Sequence, residues 1–273
     1  MPEIVTIEKM VAGGICMPKI NGKNVFVPYT IPGEKVSVEI KKSFRDYDTA
    51  FLVSVIEPSK HRVEPFCPLY GVCGGCNMQH ISPAYQTELR KEILRESFLR
   101  EGLEVPEIEV VSGSEKGYRA RIQLTNGGFN KRESNEIVQL DFCPVATKEI
   151  NDYLARVPQN KRPPERVHIF GDSRVIAGGP EAGRVLVAKE GGKSCADEKI
   201  IGKNARQSKK SRLKKNTHFM GSVQDSSNTC SIELCGKKID FDARGFFQSN
   251  LDVLEKSIEK ITENIGGKNV LDM

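Results

Sequence analysis

The sequence predicts a mainly β protein that ends in an α/β remnant. Apolar and polar residues alternate through much of residues 1 to 59, and strand-like stretches return between about residues 117 and 241. After residue 242 the pattern changes to one amphipathic helix and a short apolar run. We therefore expect a small β-barrel first, an α+β unit in the middle, and the first helix and strand of a doubly wound α/β domain at the end.

Composition limits the classes of protein that fit. The 273 residues are 38% hydrophobic and 28% charged, an ordinary balance for a soluble protein. No stretch approaches the roughly 18 apolar residues that a membrane span needs, and the amino terminus does not resemble a signal peptide. We expect a cytoplasmic protein with no membrane partner. The net charge of +5 is compatible with a polyanionic partner and equally with a solvated surface.

The barrel prediction for residues 1 to 59 depends on strand alternation and on turns. Paired turn residues at positions 13–14, 21–22 and 32–33 separate the alternating stretches at short intervals. The apolar residues that alternate, and so predict half-buried strands, are Val25, Val27, Val36, Val38, Ile40, Phe51, Val53 and Val55.

Two basic stretches could contact RNA. Lys41, Lys42 and Arg45 precede the last strand of the barrel. Residues 203–215 contain seven basic residues and almost nothing apolar, which indicates a loop. For both stretches the alternative is a solubilising loop without a partner.

One helix is expected after a polar, proline-bounded linker at residues 57–65. Ser82 is suited to cap it, Pro83 is tolerated in its first turn, and it should run to Arg100 before Gly102 ends it. Its apolar stripe consists of Tyr85, Leu89 and Ile93.

The central segment is expected to be rich in strands. The strand candidates are residues 118–125, 136–142, 166–170, 175–177, 185–189 and 237–241.

A second helix begins near residue 250, where Ser249 or Asn250 can cap it. Residues 266–267 are both glycine and should end it, and residues 269–273 then resemble a buried strand. Five aliphatic residues on one face should pack against a parallel sheet, and without that sheet about 8–15 kcal/mol of gross burial would be missing. These residues are Leu251, Leu254, Ile258, Ile261 and Ile265.

Three cysteines, Cys67, Cys73 and Cys76, lie within ten residues. The two-residue gap between Cys73 and Cys76 lets thiolates converge on one metal centre, and Gly74 and Gly75 between them ease the wrapping of the backbone. A fourth ligand is needed, and the best candidate is Cys143, which precedes a proline as in ferredoxin-type ligation.

Other interpretations of these cysteines remain open from the pattern alone. A thioredoxin-like redox pair should open a helix after a strand, and no such unit is evident. A four-thiolate zinc site would use the same ligands as an iron–sulfur cluster. The cysteines outside the four ligand candidates are Cys16, Cys195, Cys230 and Cys235.

Several motifs together resemble one family, the iron–sulfur-containing RNA uracil-5-methyltransferases. The cysteine arrangement of residues 67–76, followed by Asn-Met-Gln-His at 77–80, is similar to the iron–sulfur motif of that family. Tyr-Arg-Ala-Arg at 118–121 resembles its Tyr-Arg-Asn-Arg, and Phe-Phe-Gln-Ser-Asn at 246–250 its Phe-Phe-Gln-x-Asn. Val-Leu-Asp at 270–272 resembles the start of its first methyltransferase motif. The amino-terminal unit looks like the TRAM domain often found ahead of these enzymes.

The resemblance implies methyl transfer from S-adenosylmethionine to C5 of a uridine in RNA, with ribosomal RNA favoured over transfer RNA. A cysteine thiolate adds to C6 of the uracil, C5 takes the methyl group, and a base removes the C5 proton before the cysteine leaves. The target base must first be flipped out of its stack. A monomer at full length is also implied.

The resemblance also assigns roles to particular residues. Gln248 corresponds to the glutamine that contacts the methyl donor, and Phe246 would lie beside the flipped base. Arg119 and Arg121 either face RNA or brace the central domain, and the structural role is favoured. The implied ligands of a [4Fe–4S] cluster are Cys67, Cys73, Cys76 and Cys143.

The domains implied by the resemblance are an OB-like TRAM β-barrel (1–59), a central α+β iron–sulfur domain (60–241) and the first helix and strand of a Rossmann-like methyltransferase domain (242–273). In the family, the donor loop, the nucleophilic cysteine and the catalytic base follow later in the chain. We therefore expect a C-terminally truncated, inactive chain with no catalytic residue. The alternative is a non-catalytic RNA-binding module with a structural metal cluster.

Overall fold

The computed structural model describes residues 2–178, 185–189 and 228–263. The chain divides into two compact units. Unit 1 comprises Met1–Val111 and Asn130–Val138, and unit 2 comprises Ser112–Phe129 and Gln139–Met273. The described part is mostly β with three α-helices, which confirms the predicted mainly β class.

The regular elements are numbered in chain order. The strands are β1 (Glu3–Thr6), β2 (Lys9–Val11), β3 (Ile15–Met17), β4 (Lys19–Ile20), β5 (Lys23–Pro28), β6 (Lys35–Ser43), β7 (Tyr47–Glu57), β8 (Arg121–Leu124), β9 (Phe129–Asn130), β10 (Ile137–Val138), β11 (Val167–Gly171), β12 (Val175–Gly178), β13 (Val185–Lys189), β14 (Thr229–Leu234) and β15 (Lys237–Asp242). The helices are α1 (Pro83–Arg100), α2 (Lys148–Arg156) and α3 (Leu251–Thr262), with a single 3-10 turn at Gln159–Lys161.

Unit 1 is built around a seven-stranded sheet in the order β1-β6-β7-β5-β3-β2, with β4 paired to β5. The described pairings are antiparallel except β5 with β7, which is parallel. The β4–β5 hairpin turns through Asn21 and Gly22, both with positive φ, as the two-residue turn signal predicts. Val25, Val27 and Val36 are fully buried in the core, which confirms the alternation in β5 and β6.

Strand β7 departs from the predicted pattern. Phe51 and Val53 are each 52% exposed, whereas Ala50 is buried and Leu52 and Val55 pack against the core. The pairing with β6 shifts register beside Leu52, because a β-bulge inserts an extra residue there. The alternation correctly predicts a strand, but the inward face is wrong for Phe51 and Val53.

Helix α1 begins and ends where the sequence predicts. Leu89 is buried and Tyr85 and Ile93 pack beside it against the core of unit 1. Ser82 occupies the position before the first turn but makes no capping hydrogen bond through its side chain. After the helix, Gly102 has a φ of +72°, a conformation that favours glycine.

Unit 2 contains two three-stranded antiparallel sheets, in the orders β13-β11-β8 and β12-β14-β15. The predicted strand at 136–142 contracts to β10, which pairs with β9. Helix α2 and strand β14 were not predicted. Helix α2 buries Ile150, Tyr153 and Leu154, which lie on one face at helical spacing. The basic stretch at 203–215 lies outside the described residues.

Helix α3 packs against the core of unit 2, where the described strands are antiparallel. The Asn250 side chain caps it by accepting the backbone N–H of Val253 at 3.1 Å. Leu251 is buried, and Leu254 and Ile258 pack on a core formed largely by the antiparallel strands. Ile261, the fourth residue of the predicted stripe, is 71% exposed and lies one turn beyond the covered face. Ile265 and residues 266–273 lie outside the described residues.

None of the described helices combines the length and the apolar character that crossing a membrane requires.

Candidate functional site

The cysteine-rich stretch of unit 1 folds into a tight series of turns, which we call the cysteine loop (residues 67–81). The carbonyl of Cys67 accepts the backbone N–H of Tyr70 at 3.0 Å, and the carbonyl of Leu69 accepts that of Cys73 at 2.9 Å. The backbone N–H of Cys67 in turn donates to Gln79 Oε1 at 3.2 Å. These local bonds hold the loop without a helix or strand.

Residues 130–132 align with the cysteine loop and fix its central part. The Gly74 N–H donates to the Asn130 carbonyl at 3.2 Å, and the Arg132 N–H donates to the Val72 carbonyl at 2.9 Å. A Cβ on Gly74 or Gly75 would meet neighbouring protein atoms at an ordinary distance of 3.5 Å. Gly71 has a φ of +85°, a conformation that favours glycine.

Two side chains tie the loop to the core of unit 1. The Tyr70 hydroxyl lies 2.6 Å from His80 Nδ1 and 2.9 Å from the Asn77 carbonyl, and His80 Nε2 lies 3.2 Å from the Thr30 carbonyl. Burial lowers the pKa of His80 to about 4, so its ring is neutral at pH 7. In the neutral ring, Nε2–H donates to the Thr30 carbonyl, and Nδ1 accepts from the Tyr70 hydroxyl, whose single proton it shares with the Asn77 carbonyl.

Cys67, Cys73 and Cys76 are half-buried thiols on this loop, and Cys143 is a half-buried thiol in unit 2. Cys143 lies in a turn that Asn151 of α2 closes through hydrogen bonds of 2.8 and 3.0 Å with its backbone. Thiols are suitable donors for iron or zinc. Within the described ranges, however, no three His, Cys, Asp or Glu side chains are arranged to hold a metal ion. The four-cysteine cluster therefore stays a prediction.

Two of the other cysteines can be excluded as nucleophiles by their surroundings. Cys16 and Cys230 are fully buried, and burial raises the pKa of each thiol to about 12. A thiol with such a pKa supplies almost no thiolate at neutral pH. Cys235 is exposed in the turn between β14 and β15, and Cys195 lies outside the described residues.

The hairpin of β6 and β7 carries an exposed group of aromatic and basic side chains, which we call the aromatic–basic tip (Lys41, Lys42, Phe44, Tyr47 and Phe51). The rings of Phe44 and Tyr47 stack with centroids 4.6 Å apart. The Lys42 ammonium lies 4.7 Å from the Phe44 centroid, and that of Lys41 lies 5.0 Å from the Phe51 centroid. Single-stranded nucleic acids bind such surfaces, because their bases stack on exposed aromatic rings and their phosphates are attracted to the neighbouring cations.

Arg119 and Arg121 brace unit 2. The Arg121 guanidinium donates to the Arg244 carbonyl at 3.3 Å and lies 3.0 Å from His168 Nδ1. Burial, together with the nearby charge of Arg119, lowers its pKa. Arg119 Nε donates to the Arg121 carbonyl at 3.1 Å. These bonds agree with the favoured structural role, and an RNA contact by either residue stays a prediction.

The segment 246–250 presents alternate side chains to solvent. Phe246 is 83% exposed, Phe247 stacks on Phe241 with centroids 4.0 Å apart, and Gln248 is exposed. Asn250 then caps α3. Gln248, the predicted donor contact, and Phe246, the predicted base contact, are thus both accessible to solvent. Phe247 between them anchors the segment by packing on Phe241.

The aromatic group behind the cysteine loop was not predicted. The Tyr29 ring lies 5.2 Å from the Tyr70 ring and 4.9 Å from the Arg132 guanidinium. Tyr29 has a φ of +64°, which is uncommon for an aromatic residue. Nothing in the local sequence indicates this conformation, and the Tyr70 and Arg132 side chains that contact the ring are distant along the chain.

Comparison with known proteins finds relatives that are named RNA methyltransferases. No protein-family model matches the chain. A protein of Treponema denticola, called an uncharacterized RNA methyltransferase, is 32% identical over 96% of this chain and 59% of its own length. Homologues of this chain are named RNA methyltransferases. A 23S rRNA (uracil(1939)-C(5))-methyltransferase of Vibrio parahaemolyticus is 26% identical over 94% of this chain and 61% of its own length.

Among solved structures, the tRNA (uracil-54, C5)-methyltransferase of Pyrococcus abyssi, in complex with S-adenosyl-L-homocysteine, has a similar fold. The TM-score is 0.58 at 21% identity, with 97% of this chain and 66% of that chain covered. The chain thus spans about three fifths of the length of these two relatives and about two thirds of the length of the Pyrococcus abyssi chain.

Proposed function

We propose that this chain forms the RNA-binding part of an RNA (uracil-C5)-methyltransferase that uses S-adenosylmethionine. The observation that carries the proposal is the similarity to RNA methyltransferases over 96% of the chain at 32% identity. Support for the donor comes from the neighbour of similar fold, whose bound S-adenosyl-L-homocysteine is what remains of the donor after methyl transfer. Ribosomal RNA is the preferred substrate class, because the relatives include 23S rRNA enzymes.

RNA would be held first by the aromatic–basic tip. Its rings offer stacking surface for unpaired bases. Lys42 of the tip and the neighbouring Arg45 supply positive charge for phosphates. The Lys41 ammonium also pairs with Glu133, so RNA would compete with that carboxylate for it. Phe246, the most exposed of the large apolar side chains described, would contact the unstacked base in unit 2.

In the methyl transfer, the donor sulfonium supplies a methyl group to C5 of the uracil, and C5 loses a proton. Gln248 would contact the donor from its exposed position before α3. We assign no described residue as nucleophile or base, since Cys16 and Cys230 are buried with raised pKa values.

We further propose that Cys67, Cys73, Cys76 and Cys143 ligate a [4Fe–4S] cluster that braces the fold. The support is the donor set: four thiols, three of them within one short loop and one beside a proline. Anaerobically purified protein should contain iron and sulfide and show broad visible absorbance. A stoichiometric content of zinc without sulfide would contradict the cluster, and Cys73→Ser should remove most of the bound iron.

The RNA-binding proposal is tested by fluorescence anisotropy with labelled fragments of ribosomal and transfer RNA. Wild-type chain should bind with an affinity that falls with salt. The double variant Lys41→Ala/Lys42→Ala should bind more weakly and reduce the salt slope by about two, roughly one per lost phosphate contact. The matched control Lys237→Ala/Lys238→Ala removes two exposed lysines from β15 and should change little. Equal losses in both variants would contradict a role for the tip.

A further inference from the structure

The aromatic–basic tip is engaged by side chains of the protein itself. The register of β6 with β7 shifts between Ile40 and Lys42, which makes Lys41 the extra residue of a β-bulge. The Lys41 ammonium lies 5.0 Å from the centroid of the Phe51 ring, which is 52% exposed. The group of the tip that suits a phosphate and the ring that suits a base are therefore held against each other.

Glu133 is a second partner of the Lys41 ammonium. Its carboxylate forms an ion pair and a hydrogen bond with that ammonium, although the two residues are 92 positions apart in the chain. The hydrogen bond from Lys41 lowers the pKa of Glu133, so the carboxylate is charged at neutral pH. The side chains of Lys41 and Glu133 are 38% and 58% exposed, so a phosphate can reach the pair from solution.

The turn that carries Glu133 is held in place by backbone hydrogen bonds. The Lys131 N–H donates to the Glu136 carbonyl at 2.8 Å, and the Ser134 N–H donates to the Lys131 carbonyl at 3.3 Å. Glu133 has a φ of +51°, which is uncommon for a residue other than glycine. Residues 130–132, just before it, are bonded to the cysteine loop. The carboxylate is therefore presented to the tip from a fixed backbone.

We propose that Glu133 is an internal competitor of RNA at the aromatic–basic tip. This inference rests on the proposed RNA-binding function. The Glu133 carboxylate takes the place of an RNA phosphate beside Lys41, and it keeps the ammonium over the ring of Phe51. An incoming phosphate must displace this carboxylate and is repelled by its charge, so both effects weaken binding. An unpaired base that stacks on Phe51 offsets this cost.

The test measures binding of fluorescently labelled oligo(U) to the full chain by fluorescence anisotropy, at low and at high salt. Glu133→Gln keeps the size of the side chain and removes its charge. The matched control Glu136→Gln removes a carboxylate of the same turn that pairs with Lys131 instead of Lys41. Both variants are repeated in a Lys41→Ala background, and thermal unfolding shows whether every variant is folded.

At low salt, Glu133→Gln should bind oligo(U) about two- to fivefold more tightly than the wild type, the range of one exposed ion pair. The gain should shrink at high salt and disappear in the Lys41→Ala background, whereas Glu136→Gln should change binding little. Unchanged or weaker binding by Glu133→Gln, an equal gain from Glu136→Gln, or a gain that persists without Lys41 overturns the competitor while RNA binding stands. If neither the wild type nor Glu133→Gln binds any RNA, the proposed function fails as well.

Discussion

Replacing Glu34 by glutamine should destabilise unit 1 by about 3–5 kcal/mol, the usual cost of breaking a buried ion pair from one side. The Glu34 side chain is fully buried and holds Arg62 through two short hydrogen bonds. The same carboxylate accepts the backbone N–H groups of Ile31 at 2.9 Å and Ser59 at 3.1 Å. A glutamine amide would turn its NH₂ toward one of these donors and leave the Arg62 charge without a counter-ion.

The assay is urea unfolding of the wild type and two variants, followed by circular dichroism. The matched control is Glu57→Gln, which breaks the nearby Lys35–Glu57 pair of 3.0 Å on the exposed end of the same sheet. That pair is solvated, so its loss should cost at most about 1 kcal/mol. Similar, small losses for Glu34→Gln and Glu57→Gln would refute the argument that burial makes the difference.

The same carboxylate should contribute to acid unfolding. Burial alone would raise the pKa of Glu34, but hydrogen bonds from Arg62, Ser59 and Ile31 outweigh burial, and the pKa lies below its usual value. Its stabilisation is therefore complete above the ordinary carboxyl pKa and is lost as the pH falls through the lower folded value. Glu34→Gln should remove this part of the pH dependence, and an unchanged acid-unfolding curve would contradict the assignment.

Three further predictions follow from the fold. Asn250→Ala should lower stability by about 1 kcal/mol in urea unfolding, because the cap of α3 is lost, and a neutral effect would contradict the capping role. Gly71→Ala should lower the free energy of unfolding by about 1–2 kcal/mol because Gly71 has a positive φ, whereas Gly75→Ala should be nearly neutral. The reverse order would contradict this conformation of the cysteine loop. Burial lowers the pKa of His80 from 6.5 to about 4 in the folded protein. The free energy of unfolding should therefore fall by about 3 kcal/mol as the pH drops from 6.5 to 4. A pH series of unfolding curves measures this loss, and His80→Gln should abolish it.

The parts of the fold that were predictable are those where local patterns agree with long-range packing. The alternation in β5 and β6 and the turn at Asn21 and Gly22 set the hairpins of unit 1. The stripe on α1 faces the core through Leu89, as helical spacing requires. In each case the pattern has the right period and no neighbouring element overrides it.

The failures have identifiable physical causes. The bulge in β7 exchanges the faces of Phe51 and Val53, and a bulge depends on the partner strand. Tyr29 has a positive φ that local propensity does not indicate, and its ring contacts Tyr70 and Arg132, which are far along the chain.

For the candidate site, the sequence indicated residue types better than their arrangement. It selected Phe246 and Gln248, which are accessible, and favoured the bracing role of Arg121 that its hydrogen bonds support. It could not give the geometry of the cysteine loop, because spacing specifies which thiols can converge and not whether they do. The aromatic–basic tip arises from pairing of β6 with β7, which brings Lys41 beside Phe51 from across the sheet.

The most direct test of the account is to delete the gene and measure 5-methyluridine in purified ribosomal and transfer RNA by mass spectrometry of nuclease digests. The account predicts loss of one 5-methyluridine from ribosomal RNA, restored when the gene is returned. Unchanged 5-methyluridine in both RNA classes would contradict the proposed methyltransferase function.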